Sequence, residues 1–324
     1  EDNALTYAAV YACTRIIAET LGTLSWHVFR QQPGGGKERV PGQAEFLLRD
    51  QPNPETTAFS FREQMVASAL LWGGGFAEIV RDNAGRVVEM WQIAPDRVMI
   101  DRVRTDGRLV YVIDNRSAAS TTLEAEDCFH LHGLGFDGIS GYSVVRLAAR
   151  SIGIGMASEK FAGSFYGNGT VLSGVLEAPG PLSENAMKHL RESWAEMHKG
   201  PEKAWKPAIL EEGIKFSKMG MPMTDAQFLE SRKFQVNDIA RWFRVPPHKL
   251  ADLERATFSN IEHQSIDFVQ DTILPWAIRL EQEANRKLFG GNRQGFFTKL
   301  NLNSLLRGDV QSRFSAYATG RQWG

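Results

Sequence analysis

A double proline, Pro246-Pro247, divides the C-terminal half of this chain into two predicted helices. Proline lacks an amide hydrogen and clashes with the preceding turn, so the helix that opens at the Thr224-Asp225-Ala226-Gln227 capping box must end there. Ser259-Asn260-Ile261-Glu262 is another capping box and predicts a second helix, to Phe289, with a kink at Pro275. Two long helices around a loop of about a dozen residues suit a moving contact element; an ordinary helix connection fits equally well.

The rest of the chain predicts an α+β fold, in which helices precede and follow a block of short strands. Turn sequences such as Asp82-Asn83-Ala84-Gly85 separate these strands, which indicates mainly antiparallel pairing. Helices are expected over 4 to 21 and 42 to 49, and from a Ser60 capping box to 72. Strands are expected over 76 to 81, 87 to 93, 97 to 103, 108 to 114 and 127 to 132, followed by a long helix over 142 to 166. An α/β insert is expected over 170 to 222, with strands at 173 to 177, 207 to 211 and 214 to 218 and a helix at 183 to 199.

Length and charge limit the possible functions. A chain of 324 residues is expected to form two or more packed regions. Its net charge of -1 argues against a protein that holds nucleic acid by neutralising phosphates, but leaves room for one that lets nucleic acid slide past. Two distant cysteines, Cys13 and Cys128, indicate buried thiols in a reducing compartment. No apolar run approaches the roughly 20 residues that span a bilayer, so no membrane partner is expected.

Few motifs suggest chemistry. His130 and His132 point to one side of a strand near Asp127 and Asp137, which could begin a metal site, although a strand end with polar tips is the simpler interpretation. Gly153-Ile154-Gly155 lies inside a predicted helix rather than after a strand, so close helix packing explains it better than dinucleotide binding. The sequence contains no phosphate-binding Gly-x-x-x-x-Gly-Lys-Ser/Thr loop. We therefore expect no enzyme activity and no catalytic, cofactor or metal site.

Several stretches, in their order and spacing, are similar to one known family. The N-terminal ones are Ala9-Val10-Tyr11-Ala12-Cys13 and Gln51-Pro52-Asn53-Pro54, and the central one is Asp137-Gly138-Ile139-Ser140-Gly141-Tyr142-Ser143. The later ones are Ile239-Ala240-Arg241-Trp242-Phe243-Arg244-Val245-Pro246-Pro247 and Ser259-Asn260-Ile261-Glu262. Together they resemble the portal proteins of tailed bacteriophages in the HK97-like group, over about residues 4 to 320. His263 and Gly74-Gly75 depart from residues that are more usual in the family.

The resemblance implies a ring of about twelve copies at one capsid vertex. It implies a portal-protein fold with a mixed α/β wing, long stem helices, a small α/β clip and a helical C-terminal region. The implied regions are a wing at 1–141, a first stem helix at 142–168, a clip at 169–223, a second stem helix at 224–246, a tunnel loop at 247–261, a long wing helix at 262–290 and the start of a crown at 291–324. Family chains usually continue past a point like Gly324, so the crown is expected to be incomplete here.

The resemblance also implies partners: double-stranded DNA in the channel, the terminase large subunit and the head-tail connector at the clip, and the major capsid protein or scaffold. The protein would act in the virion at the portal vertex, and in the host cytoplasm during assembly. A shorter ring-forming head-tail adaptor is the alternative, and a metal-dependent enzyme built on the histidine pair is a third reading.

A channel for DNA must not bind DNA tightly, because each phosphate neutralised by Lys or Arg adds affinity that would slow its movement. The stretch from Thr224 to Glu262 is neutral, with six acidic and six basic residues. We expect weak, transient contacts to the DNA backbone from His248, Lys249 and Arg255, with no base readout, and the same charges could instead pair with neighbouring subunits. The residues expected to face DNA in the tunnel loop are His248, Lys249, Asp252 and Arg255. Aromatic residues concentrate at interfaces, which makes Trp194, Trp205 and Trp242 candidates for subunit contacts, with core burial as the plainer alternative.

Overall fold

Two N-terminal helices, α2 (Ala8–Thr23) and α4 (Ala58–Trp72), pack against each other and form one side of the core. The structure is a computed structural model that describes residues 2–167, 174–198, 213–218, 225–252, 258–290 and 295–305. On α2 the fully buried residues Val10, Cys13, Ile17 and Leu21 follow the three- and four-residue spacing of one helix face. A short helix α1 (Asp2–Leu5) precedes α2, and α3 (Gln43–Arg49) lies between the pair in sequence.

Three antiparallel sheets complete this region. In the first, β3 (Gly74–Arg81) lies between β4 (Val87–Ile93) and β8 (Cys128–His132). The second has the order β5 (Val98–Arg102), β6 (Leu109–Ile113) and β7 (Thr121–Glu124), and the third has β11 (Phe296–Leu300), β1 (Trp26–Gln31) and β2 (Lys37–Arg39). Every one of these ladders is antiparallel, which confirms the sequence prediction.

The chain divides into two units, residues 1–149 with 237–324, and residues 150–236. The second unit contains most of α6 (Ala149–Gly167), the helix α7 (Glu184–His198), the antiparallel pair β9 (Gly174–Glu177) and β10 (Lys215–Lys218), and the beginning of α8 (Asp225–Phe243). Within it, Arg232 of α8 lies 3.6 Å from the carboxylate of Glu159 on α6. The strands predicted over 173–177 and 214–218 and the helix predicted over 183–199 are confirmed as β9, β10 and α7, and the strand predicted over 207–211 lies outside the described residues.

The long C-terminal helix of the first unit has three parts. It runs as α9 (Phe258–Asp267), a π-helical segment (Phe268–Ile273) and α10 (Leu274–Phe289), and Gly290, with φ of 61°, closes it. Pro275 sits in the first turn of α10, where a missing amide hydrogen is tolerated. The predicted kink is therefore a wide π turn just before the proline.

Several sequence-predicted boundaries were wrong for local reasons. The first helix is split around Tyr7, and a second break at Ala148 separates α5 (Val144–Leu147) from α6. The capping residue of α4 is Thr57, whose hydroxyl accepts from the Ser60 amide at 3.3 Å, so Ser60 does not cap that helix. Helix α9 already begins at Phe258 and contains Ser259. Across the described residues, no helix is both long and apolar enough to cross a bilayer.

Candidate functional site

The turn after α8 has the sharp geometry that its double proline predicts. Helix α8 ends at Phe243, and the amide of Val245 donates back to the carbonyl of Ala240 at 2.9 Å. Residues Pro247–Leu250 then form a single 3₁₀ turn. Arg244 and Ala251, at either end, adopt φ of 57° and 63°, a left-handed conformation that residues other than glycine rarely take. The turn is therefore bounded by two strained backbone positions.

His248 anchors this turn to α9. Its Nδ1 lies 2.8 Å from the side-chain oxygen of Gln264, and its Nε2 lies 3.5 Å from the Ser265 hydroxyl. An amide oxygen can only accept, so Nδ1 carries the proton and Nε2 is left to accept from the serine. Both ring nitrogens are therefore engaged within the chain. The DNA contact predicted for His248 stays a prediction, and it would have to compete with these bonds.

The other tunnel-loop candidates are placed differently. The ammonium of Lys249 lies 5.6 Å from the centre of the Phe268 ring, an attractive cation–π arrangement on an exposed side chain. Asp252 accepts from the side-chain amide of Asn237 at 3.3 Å. Arg255 falls in 253–257, outside the described residues. The structure thus brings His248, Lys249 and Asp252 onto one turn, and their proposed contacts to DNA remain predictions.

A further bond fixes the turn to the π-helical segment and was missed by sequence reasoning. The hydroxyl of Thr272 donates to the carbonyl of Arg244 at 2.6 Å. Arg244 is the left-handed residue, so this bond holds the strained end of the turn in place. The nearby Pro275 was the only sequence signal of irregular backbone here, and it did not identify Thr272 as the donor.

Of the three tryptophans predicted to form subunit contacts, the structure describes the side chain of Trp242 only. Trp242, on the last turn of α8, is partly exposed in the single chain, as a subunit contact requires. Trp194 lies on α7, but its side chain is not among those described, and Trp205 falls in 199–212, outside the described residues. Their role as interface residues stays a prediction.

The histidine pair of β8 is built into the core. His130 is buried, its ring stacks on Phe76 at 4.5 Å between centroids, and its Nδ1 lies 3.1 Å from the Tyr111 hydroxyl. Burial, with smaller effects from His132 and nearby cations, lowers the pKa of His130 to about 3. A neutral imidazole packed in this way fills space in the core of the first unit.

The carboxylates near this pair are occupied elsewhere. Asp127 lies 3.0 Å from the guanidinium of Arg81, and Asp137 accepts from the amides of Ile139 and Ser140 in its own turn. Within the described ranges, no three His, Cys, Asp or Glu side chains are grouped as metal ligands would be. The metal-dependent enzyme reading therefore has no geometry to support it in this part of the chain.

Gly153 of α6 also differs from expectation. Among the described residues, nothing lies within 4 Å of a Cβ built at Gly153. Close packing against another described element therefore does not explain this glycine. Its position inside α6, and not in a strand-to-helix turn, confirms that this Gly-x-Gly is no dinucleotide-binding loop.

Comparison with known proteins identifies the family. The family model for phage portal protein matches residues 8–324. The probable portal protein of Streptomyces phage phiC31 is 34% identical over 99% of this chain and 72% of its own length. The portal protein of Enterobacteria phage HK97 is 32% identical over 97% of this chain and 74% of its own length.

Solved structures share the fold. An HK97 family phage portal protein from Corynebacterium diphtheriae superposes with a TM-score of 0.70 at 15% identity, over 95% of this chain and 97% of that one. A chain from the neck of a native gene transfer agent particle, computed with C12 symmetry, superposes with a TM-score of 0.67 at 21% identity, over 97% of this chain and 87% of that one. The family match, the two phage relatives and the shared α+β fold agree: this chain belongs to the phage portal protein family, in the HK97-like group, and its function is that of a portal protein.

Proposed function

We propose that about twelve copies of this chain form a ring at one capsid vertex, and that double-stranded DNA passes through its centre during packaging and ejection. The observation that carries this proposal is the match to the portal family over residues 8–324, in a chain whose helix α8 ends in a sharp, described turn. The related neck chain from a C12-symmetric particle supports a ring of this size.

The charge of the turn region suits a conduit. Acidic and basic residues balance from Thr224 to Glu262, so the segment offers little net attraction for phosphates. We assign the weak backbone contacts to Lys249 and Arg255, since His248 is already bonded to Gln264 and Ser265. Low affinity keeps DNA free to move in either direction.

The two units would contact different partner proteins. The clip, residues 169–223 in the second unit, would receive the terminase large subunit and later the head-tail connector, and the wing would face the major capsid protein or scaffold. The chain itself would have no enzyme activity, because the packaging motor is a separate protein. It would work at the portal vertex of the virion, after assembly in the host cytoplasm.

Charge reversal in the turn tests this function. Phage particles assembled with the Lys249→Glu and Arg255→Glu double variant should contain normal rings and less nuclease-protected DNA, because two acidic groups per subunit repel phosphates. Arg104→Glu, on an exposed turn of the first unit, is the matched control and should package normally. Rings lost in the double variant would show that these residues serve assembly, and unchanged DNA content would contradict their place in the channel.

A further inference from the structure

A loop of the first unit presents an aromatic side chain to solvent. Phe136 is 92% exposed and Leu134 is 73% exposed, between β8 and α5. Two large apolar side chains this open on one short loop are unusual in a chain that works alone. Their exposure suggests that another protein surface covers them.

The backbone of this loop is held without help from the Phe136 side chain. The amide of Tyr142 donates to the Leu134 carbonyl at 2.7 Å and closes the loop, and the Asp137 carboxylate accepts from the amides of Ile139 and Ser140 at 2.8 and 2.6 Å. At its base, the amide of Gly133 donates to the Gly73 carbonyl at 3.1 Å. The loop is therefore pre-formed, and holding it in shape requires no burial of Phe136.

Glycines allow the close approach that this shape requires. A Cβ at Gly141 would collide with the carbonyl of Gly73, and one at Gly135 would collide with the carbonyl of Ser140. Only glycine fits at such contacts with backbone. The sequence of the loop is thus specialised to hold one conformation with the phenyl ring outside, as a docking element requires.

A second apolar surface lies on the other side of α10. The base of the loop packs on Trp276, since a Cβ at Gly133 would lie 3.6 Å from the indole. Leu274 and Ile278, two residues before and after Trp276, are 37% and 38% exposed. At about 100° per residue they lie roughly 160° around the helix from Trp276. The loop base and the Leu274–Ile278 face are therefore on opposite sides of one helix.

Two different apolar surfaces that lie on opposite sides of a helix are what a head-to-tail ring contact needs. We propose that the Phe136 loop of one copy packs against the Leu274–Ile278 face of α10 in the next copy around the ring. This inference rests on the proposed ring and identifies one of its contacts. The partner is a second copy of this chain, because a closed ring needs a protruding surface and a receiving surface on the same subunit.

Paired cysteines test the contact directly. Cys13 and Cys128 are fully buried, and burial raises the pKa of both thiols to about 12, so they should not react in the folded protein at pH 7. The Phe136→Cys, Ile278→Cys double variant, treated with a short bis-maleimide, should give a ladder of covalent oligomers up to the full ring. The Phe136→Cys, Met99→Cys variant is the control, because Met99 is 58% exposed and belongs to β5, not to the Leu274–Ile278 face of α10.

The cross-linking result tests the proposed contact, and microscopy tests whether the protein forms a ring at all. A ladder limited to dimers would mean a symmetric pairing and would overturn the head-to-tail contact. Annular particles that give no covalent ladder would also overturn it. So would a ladder of equal extent in the Phe136→Cys, Met99→Cys control. In these three cases the proposed ring function stands. If microscopy shows no annular particles under any condition, the proposed function fails and this contact fails with it.

Truncation gives an independent measurement. Phe136→Ser should raise the protein concentration at which half of the subunits are in rings by at least about ten-fold, since aromatic anchors dominate interface energies. The thermal unfolding of the monomeric variant should not change, because the phenyl group of Phe136 is almost fully exposed in the single chain. Met99→Ser should leave the assembly concentration unchanged, and an equal effect of both variants would overturn the assignment.

Discussion

His248 Nδ1 donates to the side-chain oxygen of Gln264 over 2.8 Å, and this bond ties the turn after α8 to the helix that follows. His248 precedes Gln264 by 16 residues, so the bond connects the turn to a distant position in the chain. The position of the turn therefore depends on a bond between two side chains of this chain.

Loss of this anchor should loosen the loop. Gln264→Ala removes the acceptor of the His248 Nδ1 proton and should lower the free energy of unfolding by about 1 kcal/mol. Limited proteolysis between residues 247 and 258 should become faster. Gln270→Ala, at an exposed position of the π-helical segment, is the control. Equal cleavage rates in wild type and Gln264→Ala would show that the bond does not hold the loop.

Glu283 of α10 should contribute strongly to the folding stability of the first unit. Its buried carboxylate accepts from the His130 amide at 3.1 Å and from Arg286 at 2.9 Å, and lies 3.6 Å from the ammonium of Lys287, which is also buried. Glu283→Ala leaves the buried Lys287 ammonium without its counter-ion and the His130 amide without its acceptor, and should cost about 3 kcal/mol. Denaturant unfolding measures this, with exposed Gln282→Ala as a control that should stay within about 0.5 kcal/mol of wild type.

Stability in acid should depend on Glu45. Burial alone would raise its pKa, but hydrogen bonds from Arg39, the Val28 amide and His27 outweigh burial and lower the pKa to about 2. A carboxyl with a depressed folded-state pKa stabilises the protein above its unfolded-state pKa, and this contribution disappears as pH falls toward the folded value.

The Glu45 contribution, roughly 2–3 kcal/mol, should therefore be present at pH 7 and lost between about pH 4.5 and 2. Glu45→Gln should reduce stability at pH 7 and flatten the decline over this window, which thermal unfolding at a series of pH values measures. Glu38→Gln, at an exposed position of β2, should follow wild type. A Glu45→Gln curve parallel to wild type throughout would contradict this assignment.

The sequence predicted the elements whose signals are local. The double proline predicted the end of α8, which the structure has at Phe243, and the strand predicted over 87 to 93, after the turn sequence Asp82-Asn83-Ala84-Gly85, has the observed bounds Val87–Ile93. Elements that depend on distant partners were missed. Strand β11 pairs with β1, so that Phe297 lies opposite Phe29, and strand β2 is three charged residues at a sheet edge, with no apolar pattern to reveal it.

The candidate site was predictable only in outline. Pro246-Pro247 indicated a turn, but the bonds from His248 to Gln264 and from Thr272 to Arg244 depend on how α9 and the π segment return past it. The exposed Phe136 was also missed, because an isolated phenylalanine between glycines carries no periodic signal. Its exposure follows from backbone contacts at Gly73 and Ser140 that sequence spacing does not encode.

Electron cryo-microscopy of the purified protein tests the central claim most directly. The expected result is annular particles with a central hole, in which the segment 247–258 is the part of each subunit nearest the symmetry axis. Rings that carry this segment on their outer rim, or compact monomers under every condition, would contradict it.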